Sequence, residues 1–225
     1  MWCILCITCT RVEVSQNERD LGVIMDSSLS YKLHVQTIVS KAVKVYGWLA
    51  RSLVSRDKLT ILKVYKCLVR PILEYGCTVW SPHRVGIMEH LEKVQRKITK
   101  LILPQSLSYT DRLKALQLPS LRWRRNYIDL LMVHKILHGD QQIRRQLFTL
   151  SSEVSVANLR RHRLTLYRRT VHCDIYKHHF VNRVIDNWNS LPARLLDIAA
   201  LCSFKRNLKA YLLTGGGIDP YKWDR

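Results

Sequence analysis

The chain has 225 residues and carries 37 basic residues against 17 acidic ones, which gives a formal net charge of +20 at neutral pH. Hydrophobic residues make up 47% of it, which excludes a disordered polycation because such chains lack the apolar content needed to fold. The 8 glycines and 6 prolines are few, which argues against a turn-rich β-barrel or sandwich and for helices. A folded protein with this charge repels itself, so an anionic partner is the first hypothesis, and nucleic acid is favoured over a membrane surface.

The apolar runs and the cysteines exclude several classes of protein. The early apolar run at residues 2–7 is far shorter than the roughly 20 residues that span a bilayer, and it lacks the features of a signal peptide. We therefore expect no membrane partner and an intracellular location, in the nucleus or the cytoplasm. The 7 cysteines are odd in number and mostly scattered, which argues against a disulfide framework and for a reducing compartment.

Two groups of cysteine and histidine have spacings that suggest a metal site at first sight. The first group is Cys3, Cys6 and Cys9, which lacks a nearby fourth ligand. The second group is His172, Cys173, His178 and His179, whose spacing fits no established zinc finger and whose basic neighbours oppose a cation. We expect no metal and no cofactor at either group.

The first 36 residues are close to neutral, and the basic character of the chain begins after them. Residues 21–25 predict a short strand that enters a turn at residues 26–28. The alternating segment from Arg11 to Ser15 is its predicted hairpin partner.

Three helices are predicted next, because apolar residues recur at alternating steps of three and four. The first has the apolar seam Val35, Val39, Ala42, Tyr46, Leu49 and Leu53. The second opens with Ser55 as its N-cap, is kinked or interrupted by Pro71, and has the seam Ile61, Tyr65, Leu68 and Ile72. The third covers residues 86–103 and has the seam Ile87, Leu91, Val94, Ile98 and Leu101.

Each of these helices also carries basic residues on a face away from its apolar seam. They are Lys41, Lys44 and Arg51 on the first helix, Lys63, Lys66 and Arg70 on the second, and Lys93, Arg96, Lys97 and Lys100 on the third. A solvated surface explains any one such face. Its repetition in three successive helices favours contact with phosphates.

The second half of the chain predicts further helices around a basic loop. Helices are expected at about 109–116, in a longer segment that ends at Gly139, and at about 179–189, 193–200 and 204–213, the last capped by Ser203. His134 falls on the inward face of the longer helix and is expected to be a core histidine.

Residues 140–178 have no clean period. They hold Arg160, Arg161, Arg163, Arg168 and Arg169, with Tyr167 and Tyr176 interleaved. Arginines for phosphates and aromatic rings for stacking are typical of a single-stranded nucleic-acid channel, and an exposed mobile loop is the alternative.

Four segments, in this order along the chain, resemble the C-terminal part of non-LTR retrotransposon reverse transcriptases of the chicken-repeat and jockey-like branch. They are residues 18–26 with Leu29 and His34, residues 62–75, residues 91–102, and residues 184–192 followed by Phe204-Lys205. The resemblance implies a mainly α fold with a helical thumb bundle, a second C-terminal helical region and a small N-terminal β-hairpin left from the palm. The implied divisions are a leader at 1–10, a palm-end hairpin at 11–34, a thumb at 35–105, a C-terminal domain at 106–213 with the basic loop 140–178, and a flexible tail at 214–225.

The polymerase chemistry of that family needs palm aspartates that hold two magnesium ions. This sequence contains no Asp-Asp pair, and the segments that resemble the family do not include the fingers, most of the palm or the endonuclease. We therefore expect this chain alone to be catalytically inactive, with magnesium required only by a full-length parent enzyme.

The leading hypothesis is a reverse-transcriptase fragment that binds template–primer or target RNA or DNA as a monomer, through the basic residues named above. Because phosphate contacts carry no sequence information, it predicts a steep dependence on salt and little sequence preference. Two alternatives remain. The chain is one piece of an active polymerase whose palm lies elsewhere, or it is a domesticated or decayed helical interaction module without nucleic-acid function.

Overall fold

A short hairpin opens the part of the chain that the computed structural model describes, which comprises residues 15–52, 57–104, 106–154, 162–215 and 219–221. Its strands β1 (Asn17–Asp20) and β2 (Val23–Asp26) pair antiparallel, with Asn17 opposite Asp26. The rest of the described chain is predominantly helical. The prediction of a mainly helical fold with a small N-terminal hairpin is therefore confirmed.

The hairpin turn is formed by Leu21 and Gly22, whose φ values are 44° and 88°. A two-residue turn with positive φ at both positions matches the twist of the flanking strands. The predicted strand at 21–25 is therefore wrong by two residues, because Leu21 and Gly22 reverse the chain. The strand that pairs with β2 is Asn17–Asp20, whereas the sequence predicted a pairing strand at residues 11–15. Ser15 precedes β1, so the prediction is wrong there, and residues 11–14 lie outside the described part.

The Asp26 carboxylate shapes the loop that follows the hairpin. It accepts hydrogen bonds from the backbone N–H groups of Ser28, Ser30 and Tyr31 at 3.1, 3.0 and 2.9 Å. Burial alone would raise the pKa of Asp26. Hydrogen bonds from the Ser28 hydroxyl, from the N–H and hydroxyl of Ser30 and from the N–H of Tyr31 outweigh burial and lower the pKa to about 2. The carboxylate thus directs the chain into the first helix.

The first core is enclosed mainly by helices that precede residue 121. They are α1 (Lys32–Ser52), α2 (Lys58–Val64), a π-helical segment (Tyr65–Val69), α3 (Arg70–Glu74), α4 (Cys77–Trp80), α5 (Val85–Ile102) and α6 (Tyr109–Ala115). Helix α1 packs between α5 on one side and the π-helical segment with α3 on the other. The predicted seams hold in α1 and α5, where Val35, Ala42, Leu91 and Ile98 are buried.

The second predicted helix differs from expectation in where it starts and in which residues face the core. Its N-cap is Asp57, whose carboxylate accepts from the N–H of Thr60 at 2.9 Å, and the predicted cap Ser55 lies outside the described residues. The π-helical segment adds a residue to one turn, so Val69 is fully buried where the 3.6-residue period predicts Leu68. Leu68 is exposed, and its place in the predicted seam is wrong for this reason.

Polar side chains are buried on α5 beside its apolar seam. The Glu92 carboxylate accepts from the Tyr109 hydroxyl at 2.6 Å and from the N–H of Leu121 at 3.1 Å. Gln95 donates from Nε2 to the Pro119 carbonyl at 3.0 Å and accepts from the Tyr65 hydroxyl. These bonds fix the loop that joins α6 to the next helix against α5.

The second core is enclosed by the remaining helices. They are α7 (Leu121–His138), α8 (Gln141–Leu147), α9 (Ser151–Val154), α10 (Asp174–His178), α11 (Phe180–Arg183), α12 (Ile185–Asn189), α13 (Ala193–Leu196) and α14 (Leu201–Leu213). Trp188 and Phe204 are fully buried at its centre. His134 is a core histidine as expected, because its Nε2 lies 2.7 Å from the Ile198 carbonyl and its ring stacks on Phe204.

Helix α7 holds the two cores together. Arg124 forms a two-pronged ion pair with Glu74 of α3. Asp129 pairs with Arg183 at 3.0 and 3.1 Å, and Arg183 also donates to the Thr78 carbonyl at 2.7 Å. The change from the first core to the second falls between Leu121 and Trp123, inside the segment 106–213 that the resemblance assigns to the C-terminal domain.

Further expectations in the second half differ from the structure. The region 140–178, expected to be a loop, contains α8, α9 and α10, because short helices with few residues inside the core leave no apolar period. The helix expected at 179–189 is interrupted at Val184, and α14 starts at Leu201 without a side-chain cap, so Ser203 is not its cap. In the tail, the Pro220 carbonyl accepts from the N–H of Ser120 at 2.8 Å, and Tyr221 packs against the first core.

Replacing Leu21 with asparagine is expected to stabilise the protein. Leu21 is 84% exposed and held at positive φ, which costs a leucine about 1–2 kcal/mol and asparagine less. Urea unfolding should show a gain of up to about 1 kcal/mol for Leu21→Asn. The matched control is Leu59→Asn at an exposed position of α2, where asparagine lowers helix propensity and stability should fall. A loss of stability in Leu21→Asn would contradict the proposed strain.

The buried Glu92 predicts a pH-dependent contribution to stability. Burial raises the pKa of Glu92 above its usual value of 4.5, against the lowering effect of its hydrogen bonds and of Arg125. A raised carboxyl pKa stabilises the fold fully below the unfolded pKa, and the contribution is lost as pH rises through the folded pKa.

The free energy of unfolding of the native protein, relative to Glu92→Gln, should therefore fall as pH rises above 4.5. Denaturant unfolding at several pH values measures it, with Glu18→Gln on the exposed strand β1 as control. A difference that stays constant or grows with pH would show that Glu92 is not destabilised by its charge.

Candidate nucleic-acid interface

The exposed face of α5 is a row of lysines. Lys93, Lys97 and Lys100 are all exposed, on the side of the helix opposite the buried Leu91 and Ile98. Their spacing of four and three residues places them on one face, over about 10 Å of helix axis. The apolar seam therefore fixes which way these ammonium groups point.

Helix α1 presents a second cationic face. Lys41 and Lys44 are exposed, and the helix contains no acidic residue along its whole length. Since α1 packs against α5 through its buried side, both lysine faces belong to the same helical body. Lys63 and Lys66 are exposed on the following segment and add to the positive charge of this body.

Two arginines predicted to join these faces are engaged within the protein. Arg70 is half-buried and lies 3.8 Å from Glu74, because the π-helical segment turns it away from the lysines. Burial, and then the neighbouring Arg124, lower the pKa of Arg70 from its ordinary value. Arg96 is half-buried, lies 3.6 Å from Glu89 and stands over the ring of Tyr109.

The arginines predicted in the second half are placed unequally. Arg160 and Arg161 lie outside the described residues. Arg163, Arg168 and Arg169 are exposed. Arg168 is paired with Asp186 at 2.6 Å, whereas Arg169 donates to the neutral Thr149 hydroxyl at 3.1 Å and keeps its net charge.

Arg169 lines a cleft that sequence reasoning predicted only in part. One cavity of about 370 Å³ is lined by Arg168, Arg169, Thr170, Val171, Lys177 and Asn182. A smaller adjoining cavity shares Arg169 and Asn182 and adds Arg145, Tyr167 and Tyr176 to the lining. Among the described residues, neither lining contains a carboxylate, so this cleft combines cations with aromatic rings.

Arg145 and Lys177 are the members of this cleft that the sequence analysis missed. Arg145 is on α8, where its neighbour Arg144 turns inward and pairs with Glu153 at 2.9 Å. Asp140, whose carboxylate accepts from the N–H of Gln142 at 2.7 Å, caps that helix and is the sequence signal that marks its start. No local signal places Lys177 beside Arg169, because the cleft forms only when the second core assembles.

The carboxylates that form ion pairs within the described ranges are paired with cations other than the lysines. Each ion pair there has an arginine or a histidine as its cation, as in Arg124–Glu74, Arg183–Asp129 and His162–Asp197. The lysines of α1 and α5 are therefore left without an anionic partner within this part of the chain. An uncompensated row of ammonium groups attracts polyanions.

Of the two histidine and cysteine groups considered from the sequence, only the second lies in the part of the chain that the structure describes. Cys3, Cys6 and Cys9 lie outside the described residues. Within the described ranges, no three His, Cys, Asp or Glu side chains are grouped so that they could hold a metal ion. His178 instead stacks on His83, with ring centroids 4.0 Å apart.

None of the helices in the described ranges combines the length and apolar character needed to cross a membrane.

Comparison with known proteins relates part of the chain to transposon polymerases. It is 34% identical over 88 residues to a probable RNA-directed DNA polymerase from the transposon X-element of Drosophila melanogaster. It is 31% identical over 88 residues to the RNA-directed DNA polymerase from the mobile element jockey of Drosophila funebris. Each match covers 36% of this chain and 9% of the polymerase. A region of this chain is thus related to retrotransposon reverse transcriptases.

A third relative is an uncharacterized protein of Caenorhabditis elegans, 25% identical over 134 residues, which are 58% of this chain and 68% of that protein. No family model matches the chain, and no solved structure matches it significantly.

The cleft predicts unequal effects for its two neighbouring arginines. Arg169→Gln removes a charge without a carboxylate partner, whereas Arg168→Gln removes one that Asp186 already neutralises. Titration of a single-stranded oligonucleotide should show weaker binding for Arg169→Gln, by several-fold at low salt, and a smaller effect for Arg168→Gln. Equal effects of the two variants would contradict the assigned pairing.

Proposed function

We propose that this chain is a C-terminal piece of a non-LTR retrotransposon reverse transcriptase, and that it binds RNA or DNA through the phosphate backbone. In this proposal the first core corresponds to the thumb and the second core to the domain that follows it. The observation that supports the proposal most is the row of Lys93, Lys97 and Lys100 on α5. These three lysines are exposed and have no carboxylate partner within the described residues.

The lysine faces bind by charge rather than by shape. A lysine that neutralises a phosphate releases a condensed counterion, and this release supplies most of non-specific affinity for nucleic acid. The ammonium groups of α5 extend into solvent on flexible stems, so they can follow a backbone without reading bases. We therefore expect similar affinity for unrelated sequences and a steep loss of affinity with salt.

The cleft of the second core extends this binding surface. Arg145, Arg169 and Lys177 supply positive charge, and Tyr167 and Tyr176 supply rings beside it. A cationic groove with aromatic side chains suits a single strand, whose bases are free to stack. In the proposed function, the cleft holds the bases of an unpaired template or target strand, and the lysine faces hold the phosphate backbone of duplex or single strand.

Polymerase chemistry is not part of the proposal for this chain alone. That chemistry needs carboxylates that hold two magnesium ions, and the described residues do not fit this need. Asp26 is saturated by the N–H groups of its own loop, Asp129 is paired with Arg183, and Glu92 is buried in contact with Tyr109. We propose that the chain binds the phosphate backbone of nucleic acid and carries out no metal-dependent step.

The test of this function is a triple substitution on α5. Replacing Lys93, Lys97 and Lys100 with glutamine should weaken binding to duplex and single strand alike. The slope of log affinity against log salt should become shallower by about 2–3, since each lost phosphate contact removes about 0.7–0.9. Fluorescence anisotropy with two unrelated sequences, at several salt concentrations, measures both effects.

A matched control distinguishes the effect of the α5 lysines from the effect of lowering the net charge of the protein. Lys205, Arg206 and Lys209 are three exposed cations on α14, and their replacement with glutamine removes the same charge. The control triple variant should keep most of the affinity and of the slope. Equal effects of the two triple variants would contradict the assignment to α5. Absence of nucleic-acid binding by the unaltered chain, with the fold intact by circular dichroism, would favour the interaction-module alternative.

A further inference from the structure

A tryptophan stands in the middle of the cationic face of α1. Trp48 is 55% exposed, although large aromatic side chains are usually well buried in a folded protein. Within the described part of the chain, no ring stacks on it and no arginine or lysine stands over its face. The indole therefore presents a large apolar surface to solvent at a place where the core does not need it.

Basic side chains surround Trp48 on the same side of the helix. Lys44 precedes it by four residues and Arg51 follows it by three, the spacings that place side chains next to one another on a helix. Lys41 precedes it by seven residues and completes the row. All three are exposed, and α1 contains no acidic residue that would compete for them.

The guanidinium of Arg51 lies along the helix beside Gly47. A Cβ atom added at Gly47 would lie 3.7 Å from Nη1 of Arg51, so the arginine side chain folds back over that glycine. The face of the Trp48 indole is left uncovered by it, in keeping with the cation–π contacts found among the described residues.

We propose that Trp48 is a stacking platform for an unpaired base of RNA or DNA, with Lys41, Lys44 and Arg51 on the phosphates that flank that base. This inference rests on the proposed function and adds a preference to it. An indole face stacks on any base, and stacking is available only to a base that is not already stacked within a duplex. The face of α1 therefore favours single strands, gaps or frayed ends over continuous duplex.

The charge of the face argues for a nucleic-acid occupant over a protein one. A single exposed aromatic side chain is far smaller than the apolar area that a stable protein interface buries. The cations around it require an anion close to an aromatic-binding group, and a nucleotide supplies both in one unit. A protein partner would have to place acidic side chains around one apolar contact.

The experiment compares Trp48→Ala and Trp48→Phe with the unaltered chain on single-stranded oligothymidylate and on a blunt duplex. Trp48→Ala should weaken binding to the single strand by on the order of 10-fold, with the duplex unaffected and the salt slope unchanged. Trp48→Phe should recover part of the lost affinity because a phenyl ring also stacks. The control is Tyr75→Ala, which removes an aromatic ring of 61% exposure outside this face, and it should bind as the unaltered chain does.

The outcomes separate this inference from the proposed function. If the lysine triple variant loses binding while Trp48→Ala binds the single strand normally, the stacking platform is overturned and the backbone grip stands. If Trp48→Ala loses duplex and single-strand binding equally, the stacking platform is also overturned, since no unpaired base is then favoured. If the unaltered chain binds neither nucleic acid, the proposed function fails, and this inference fails with it.

Discussion

Carboxylates are scarce in this protein, and the rest of the structure depends on how they are used. The chain has 17 acidic residues against 37 basic ones. The carboxylates near the interior either pair with arginines, as Asp129 does with Arg183, or accept hydrogen bonds from N–H and O–H groups, as Asp26 and Glu92 do. Because arginine forms two-pronged bonds with carboxylates, it takes the buried partners, and lysine is left at the surface. The same pairing that stabilises the cores thus creates the unneutralised lysine faces.

Helix α7 connects the two cores through ion pairs of the same kind. Its Arg124 pairs with α3 in the first core, and its Asp129 holds Arg183 of α11, which also binds the carbonyl of Thr78 in α4. These contacts fix the first core and its lysine faces relative to the second core and its cleft. In the proposed function, the two cationic surfaces therefore act as one binding body, with the phosphate backbone on the lysine faces and unpaired bases in the cleft.

The sequence predicted the lysine faces of α1 and α5 because an apolar period of 3.6 residues determines both the buried side and the side opposite it. It failed where that period is broken: the π-helical segment buries Val69 in place of Leu68 and turns Arg70 toward Glu74. The burial of Glu92 could not be predicted, since a glutamate on a helix gives no sign of a distant hydroxyl partner. The meeting of Arg169 with Lys177 likewise depends on packing of the second core, which no local pattern encodes.

The central claim is that uncompensated surface charge makes this chain a backbone-binding protein. The most direct test is the affinity of the unaltered protein for two unrelated sequences, each as duplex and as single strand, between about 50 and about 200 mM salt. The account predicts a linear fall of log affinity with log salt, amounting to a factor on the order of 10³ for about six phosphate contacts, and the same fall for both sequences. Affinity that does not change with salt, or that depends strongly on sequence, would contradict it.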